Sequence, residues 1–172
     1  MKKSVLLTIL AGIMAVMISC GDDKESTLGS NEACSGNFPN EHDSICWSDK
    51  SAEGMTWEEA ITYCLNMGGR LPTINELRTL IINCPGSTAG GACKVSDPEC
   101  LSYNDCWSED CYCDGSAASY SALGDNKDTT LWSSSEPSGK SSNAWRVAFG
   151  FGHINAYYKI HNYAVRCARP DH

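Results

Sequence analysis

The sequence predicts an α+β domain in which two short helices precede an antiparallel β-meander, with a long cysteine-rich insert between them. Two capping boxes, at residues 56–59 and 73–76, mark helix starts, because Thr and Glu at this spacing satisfy open backbone donors. Residues 144–149 alternate apolar and polar side chains, which is typical of a half-buried strand. Ten of the 11 cysteines lie from Cys34 onward. Such an even, dense set indicates disulfides in an oxidising compartment.

The first 19 residues resemble a bacterial lipoprotein export signal. Lys2 and Lys3 precede an apolar run that ends at a lipobox-like Met17-Ile18-Ser19-Cys20. The run is too short for a transmembrane helix, which needs roughly 20 residues. We therefore expect removal of residues 1–19 and lipidation of Cys20 as a membrane anchor in the cell envelope. Gly21 rather than Asp after the cysteine resembles outer-membrane lipoproteins, which face the periplasm or the cell surface.

Residues 20–33 are predicted to be a lipidated cysteine and a flexible tether to the domain at 34–172, because they contain too few apolar side chains to pack. Removing the signal also removes Lys2 and Lys3, which leaves 11 basic and 21 acidic side chains, a net charge of −10. This charge disfavours nucleic acid as a partner, since no basic patch is available to replace counterions. Strongly anionic polysaccharide would also be repelled unless a cation or a local basic surface intervenes.

Each predicted helix has one apolar face. In the first helix that face comprises Trp57, Ala60, Ile61, Cys64 and Leu65, and Gly68-Gly69 ends the helix. In the second helix it comprises Ile74, Leu77, Leu80 and Ile81.

The C-terminal third is predicted to form the meander. Trp145, Val147 and Phe149 share one face of its first strand, and a second strand begins near His153. In the last strand Tyr163, Val165 and Cys167 share a face, with Arg166 and Arg169 on or near the opposite one. Because Cys64 and Cys167 both point inward, we predict a bridge between them that closes a loop of about 100 residues.

The insert at 84–130 contains six cysteines and hardly any aliphatic residues, so it needs its own cross-links. Sequence does not choose among the many connectivities. Cys111 and Cys113 are too close to pair with each other, and we take a nested set as the working prediction: Cys93–Cys100, Cys106–Cys111 and Cys84–Cys113.

The same insert carries candidate ligand-binding residues. Exposed rings would suit sugar stacking or protein contact, and the alternative is that they pack the insert against the domain; the rings are Tyr103, Trp107, Tyr112 and Tyr120. Calcium is the one candidate cofactor, since it takes about 6–8 oxygen ligands. Its candidate ligands are Asp97, Glu99, Asp105, Asp110 and Asp114, for which a solvated acidic loop is the alternative.

Five blocks carry a resemblance to a known family: residues 57–64, 69–77, 131–135, 144–149 and 165–169. They resemble the C-terminal domain of Lcl, the collagen-like adhesin, and are similar to the Fibrobacter major paralogous domains. The resemblance implies a C-type-lectin-like or formylglycine-generating-enzyme-like fold in a bacterial surface module without an agreed activity. It also implies a Cys34–Cys46 bridge across an N-terminal hairpin and again Cys64–Cys167. The lectin calcium motif is not matched, because Ser138 stands where Glu-Pro-Asn needs its amide.

These observations favour a non-catalytic recognition or adhesion domain that binds an extracellular glycan or protein. A structural envelope lipoprotein without a ligand is the alternative, and a relative of the formylglycine-generating oxidases comes third. Those oxidases use two late cysteines, whereas here Cys167 is alone in that region. Neither a hydrolase motif nor metal-ligand spacing of the four histidines is present in the sequence.

Overall fold

The computed structural model describes residues 34–113 and 120–170. The predicted signal, Cys20 and the tether therefore lie outside the described residues, as do residues 114–119. The described helices are α1 (Trp57–Asn66), α2 (Ile74–Thr79) and α3 (Tyr103–Cys106), with a 3-10 turn at Glu109–Cys111. The strands are β1 (Asn40–His42), β2 (Ile45–Trp47), β3 (Thr130–Trp132), β4 (Asn143–Ala148), β5 (His153–Tyr158) and β6 (Ala168–Pro170). Within these described residues no helix is long and apolar enough to cross a membrane.

The fold is α+β, as predicted, with two small antiparallel sheets. Strands β3, β4 and β5 form the expected meander, in which Trp132, Arg146 and Asn155 lie side by side. The last strand does not extend it. Strand β6 pairs instead with β2, placing Arg169 opposite Cys46 in a sheet of order β1-β2-β6. The prediction of a single C-terminal meander is corrected in this respect.

The two capping boxes begin α1 and α2 as predicted. The Glu59 carboxylate accepts the Thr56 backbone N–H at 2.9 Å, and the Glu76 carboxylate accepts that of Thr73 at 2.8 Å. The predicted stripe of α2 is fully buried, comprising Ile74, Leu77, Leu80 and Ile81. In α1, however, Leu65 is 63% exposed. Trp57, Ala60 and Cys64 are the buried residues of α1, Ile61 is partly buried against the same cluster, and Leu65 lies outside this face.

The turn after α1 brings the backbone close to the N-terminal hairpin. Gly68 has a positive φ of 82°, which suits the predicted left-handed helix end. A Cβ at Gly69 would lie 2.4 Å from the Phe38 ring and 2.9 Å from the Ala168 carbonyl oxygen. Only glycine therefore permits this close approach.

The C-terminal segment 163–169 is hydrogen-bonded to several parts of the chain at once. Its backbone exchanges bonds with Met55, Ser51 and Ser48 on one side, the Ser48 N–H donating to the Cys167 carbonyl at 2.9 Å. On the other side, Trp132 of β3 donates to Ala164, and Arg70 exchanges two bonds with Ala168. Because its hydrogen-bond partners lie in these parts of the chain, the last segment pairs with β2 and not with β5.

A buried ion pair lies under this segment. Arg166 donates to the Asp125 carboxylate at 2.7 Å and to the Ser48 carbonyl at 2.8 Å. Both residues are buried, Arg166 at 7% and Asp125 at 3% exposure. Arg166 was predicted on an outward face. It is instead inside, because Asp125 and Ser48 satisfy its guanidinium.

Five disulfides join all ten cysteines of the described domain. Cys34–Cys46, Cys64–Cys167 and Cys84–Cys113 are the pairs expected from the sequence and the resemblance. The other two pairs differ: Cys93 is joined to Cys111, and Cys100 to Cys106. The predicted Cys93–Cys100 and Cys106–Cys111 pairs are therefore wrong.

Local backbone structure explains the exchange of partners. Cys100 exchanges two backbone bonds with Ser96, and the one-turn helix α3 then returns the chain so that Cys106 faces Cys100. The 3-10 turn that follows lies against residues 86–93, where Gly86 approaches the Asp110 carbonyl. Cys111 thereby reaches Cys93 rather than its near neighbour in sequence.

We expect the Arg166→Met variant to lose about 3 to 5 kcal/mol of unfolding free energy, because the Asp125 carboxylate would remain buried without its partner. Replacing both residues, in Asp125→Leu/Arg166→Met, should recover much of the loss. Denaturant unfolding of the oxidised proteins measures both changes. The control is Arg70→Met, whose ion pair with Glu76 is 41% exposed on the arginine side and is expected to contribute below about 1 kcal/mol. Equal losses in the two single variants would contradict the prediction.

Candidate functional site

The two faces of the meander have different surroundings. Alternation along β4 turns Trp145 and Val147 into the main core, so Arg146 between them points to the opposite face. That opposite face is covered by α1 near Trp132 and Ala144, where a second apolar cluster lies. Beyond this cover it carries polar and aromatic side chains. We call Arg146, Tyr157, His161 and Tyr163, together with Tyr158 whose ring adjoins that of Tyr157, the tyrosine–arginine face.

Two tyrosine rings converge on one guanidinium. The Arg146 Cζ atom lies 4.9 Å from the Tyr157 ring centroid and 4.5 Å from the Tyr163 ring centroid. The two ring centroids are 6.1 Å apart. Arg146 is therefore held by cation–π contacts rather than by acceptors. Among the residues that the structure describes, its buried Nε atom has no hydrogen-bond partner and no carboxylate forms an ion pair with it.

The other side chains of the face extend it toward solvent. His161 lies 4.7 Å from Tyr157 and 6.5 Å from Tyr163, measured between ring centroids. Tyr157 is 36% exposed and Tyr158 is 55% exposed. Tyr157 lies opposite Ala144 and Tyr158 opposite Asn143 at the end of β5, so the two side chains leave alternate sides of the sheet and both are exposed there.

The rings and the arginine influence one another electrostatically. Burial lowers the pKa of Arg146, and the two nearby tyrosines act in the opposite direction. Burial likewise raises the pKa of Tyr163, which the positive charge of Arg146 partly opposes. The face thus combines a partly desolvated cation with neutral rings, a combination that suits a ligand having both an apolar ring surface and an acceptor.

Two open clefts adjoin the face. One, of about 320 Å³, is lined by Tyr163 and by polar side chains that include Lys50, Asn126 and Asp128. It shares Gly54 and Asn162 with a second groove of about 730 Å³, whose walls carry Glu53, Glu58 and Glu59. The tyrosine–arginine face is therefore bordered, beyond Asn162, by an acidic surface.

The predicted ligand-binding rings of the insert largely serve packing. Tyr103 stacks between Trp107 and Trp145, at centroid distances of 5.7 and 5.8 Å. Trp107 donates its indole N–H to the Ile154 carbonyl at 2.9 Å, and Tyr120 is only 5% exposed. Of the four candidates, Tyr112 alone reaches solvent substantially, at 37% exposure.

The candidate calcium ligands are not brought together. The Asp97 carboxylate accepts from the Ser135 hydroxyl at 2.5 Å, and that of Asp105 accepts from Ser102 at 2.6 Å. Asp110 accepts from Ser108, and Asp114 lies outside the described residues. In residues 34–113 and 120–170 no group of three or more His, Cys, Asp or Glu side chains could hold a metal ion. The structure therefore gives no support to the calcium prediction for Asp97, Glu99, Asp105 and Asp110.

The family comparison agrees with the residue blocks described above. The model of the Lcl C-terminal domain matches residues 36–169. The chain belongs to the Lcl C-terminal domain family. No curated protein is significantly similar to it.

In this Lcl C-terminal domain the tyrosine–arginine face lies outside the insert, in which the sequence predicted the ligand-binding rings. Arg146 is recognisable in retrospect, since the inward alternation of Trp145 and Val147 already turns it to the other side. Tyr163 was assigned to the buried face of Val165 and Cys167, and it packs edge-on against Trp132 at 4.8 Å while remaining partly exposed. The convergence of Tyr157 and Tyr163 has no local signal, because it depends on where segment 163–169 docks.

Two histidines of the Lcl C-terminal domain have different surroundings. His161 belongs to the tyrosine–arginine face, whereas His153 at the start of β5 contacts Trp107 and Tyr112 of the insert. The His153 Nε2 atom is buried and has no partner among the described residues. Burial, followed by the charge of Arg146, lowers the pKa of His153.

This lowered pKa predicts a stability change in mild acid. The folded pKa lies below the unfolded value of about 6.5, so the unfolded chain binds the proton first and stability falls as the pH drops from about 6.5 through the folded pKa. The His153→Asn variant lacks this proton-binding group. We expect it to lose less unfolding free energy than the wild type between about pH 7.5 and pH 5, measured by denaturant unfolding. Parallel pH profiles would contradict the assignment.

Proposed function

We propose that this protein is an envelope-anchored lipoprotein whose domain recognises an extracellular glycan or protein without catalysis. The observation that carries the proposal is the tyrosine–arginine face: the rings of Tyr157 and Tyr163 lie against Arg146, which has no ion-pair partner among the described residues, and Tyr158 and His161 adjoin Tyr157. Exposed aromatic side chains clustered on a rigid element favour binding, because rings contribute large contact areas at low entropic cost. The sheet and disulfides beneath would hold these rings in place before a ligand arrives.

The disulfides support recognition over oxidative catalysis. All ten cysteines from Cys34 to Cys167 are joined in pairs, which leaves no thiol in the described domain for copper-dependent oxygen chemistry. The bridges between Cys34 and Cys46 and between Cys64 and Cys167 also support a C-type-lectin-like arrangement, in which a hairpin and a helix are tied near the last strand. We include that fold assignment in the proposal.

The anchor follows from the N-terminal sequence. Lipidation of Cys20 would tether an acidic domain to the outer membrane, with residues 21–33 as a spacer. Mass spectrometry of the mature protein from envelope fractions should find acyl chains on Cys20 and no residues 1–19. In the Cys20→Ser variant we expect no acylation, and the protein should be released from the envelope fraction without detergent. An unmodified Cys20 in the mature wild type would refute the anchor.

Binding at the face is tested with the mature protein in detergent micelles on an array of saccharides and immobilised extracellular proteins. We expect Tyr157→Ala to weaken binding about tenfold, since a stacked ring contributes on the order of 1 kcal/mol or more at an interface. The matched control is Phe151→Ala, an exposed ring outside the face at 56% exposure.

A third variant separates the face from the insert. If Tyr112→Ala abolishes binding and Tyr157→Ala does not, the insert carries recognition and the proposed location is wrong. Failure of every probe to bind would favour the structural lipoprotein without a ligand. Thermal unfolding of each variant verifies that binding is compared between folded proteins.

A further inference from the structure

Arg146 and Arg169 differ from the other arginines of the described domain, because the Nε atom of each is buried without a hydrogen-bond partner among the described residues. Arg169 lies over a single ring, that of Phe38, at 5.2 Å from its centroid, whereas Arg146 lies against the two tyrosine rings of the proposed site. Arg70 pairs with Glu76, and Arg166 pairs with Asp125. Arg78 donates to three backbone carbonyls, those of Ser87, Thr88 and Val95. Arg146 has no such acceptor among the described residues, although its Nε atom is buried. A partly desolvated guanidinium without an acceptor has an unfavourable desolvation free energy, and hydrogen bonds to an oxyanion would offset it.

The surroundings of Arg146 indicate what else the oxyanion must carry. The flanking rings of Tyr157 and Tyr163 offer flat apolar surfaces beside the cation, and Asn155 lies opposite Arg146 in the β4–β5 register, on the same face. A pyranose ring matches this set: its C–H surface stacks on a tyrosine, its hydroxyl groups bond an amide, and a carboxylate on the ring reaches the guanidinium.

The wider charge distribution limits how acidic the ligand is. The mature chain has 21 acidic and 11 basic side chains, and the groove next to the face carries Glu53, Glu58 and Glu59. Lys159, which directly follows β5, is already paired with Glu136 at 2.8 Å. A densely charged polyanion extending from Arg146 would meet this negative surface and be repelled. A ligand with sparse negative charge would not.

We propose that the tyrosine–arginine face binds a saccharide with a single carboxylated sugar, whose carboxylate pairs with Arg146 while Tyr157 and Tyr163 stack on its ring. This inference rests on the proposed function and names its ligand class.

The test compares three oligosaccharides of equal length by calorimetry with the mature protein: one ending in a uronic acid, its methyl ester, and the neutral sugar. We expect the acid to bind about tenfold more tightly than either, because only its carboxylate accepts charge-assisted hydrogen bonds from the guanidinium. Arg146→Gln should remove that preference while leaving the weaker binding of the ester. Arg146→Lys should restore it only in part, because an ammonium lacks the planar fork.

The outcomes separate the inference from the proposed function. If the acid and the ester bind equally and both lose binding in Tyr157→Ala, the claim that a carboxylate pairs with Arg146 is overturned, whereas recognition by the face is retained. Tighter binding of a heavily sulfated polysaccharide, with steep salt dependence, would overturn the sparse-charge requirement. If none of these probes binds, the inference about the ligand class is overturned. The proposed function is not, because the array of saccharides and proteins tests it separately. The acid and ester comparison uses the unaltered protein, so it holds even if an Arg146 variant does not fold.

Discussion

The C-terminal segment 163–169 ties the domain together, and most of the tertiary arrangement depends on its hydrogen bonds. It runs between the loop at residues 48–55, strand β3 and Arg70, and it satisfies backbone groups on each of them. The Cys64–Cys167 bridge connects the same segment to α1, and Arg166 beneath it is neutralised by Asp125. A segment so fully bonded has one position only, since a shift would leave buried polar groups without partners.

That position creates the candidate site. Tyr163 is the first residue of the segment, and it is hydrogen-bonded to Met55 just before the chain reaches β3. Its ring therefore lies beside Arg146 and Tyr157. The site is thus assembled from β4, the end of β5 and the returning chain, each of which is held by backbone hydrogen bonds to a neighbouring segment. Aromatic side chains on such elements lose little entropy when a ligand binds, which makes a small surface sufficient for recognition.

The cysteine-rich insert has a structural role in this arrangement. Strand β5 is the outer strand of the meander, and an uncovered outer strand invites pairing with other chains. The insert covers the start of β5: Trp107 donates its indole N–H to the Ile154 carbonyl, and Cys113 donates its backbone N–H to the carbonyl of Phe151, in the turn before β5, at 2.8 Å. Since the insert has few aliphatic residues, three disulfides among Cys84, Cys93, Cys100, Cys106, Cys111 and Cys113 supply the order that a core would otherwise provide.

Local chemistry in the sequence was enough to determine the α+β class, both helix starts and the Cys64–Cys167 bridge, because capping boxes and period-two alternation act over a few residues. The resemblance supplied Cys34–Cys46. Tertiary structure alone decided the pairing of β6 with β2, the Cys93–Cys111 and Cys100–Cys106 bridges, the burial of Arg166, and the gathering of Tyr157 and Tyr163 around Arg146. Each of these features brings together residues that are far apart in the sequence, so no local pattern predicts it. Hydrogen bonds, charges and ring contacts across the whole domain determine which of these residues meet.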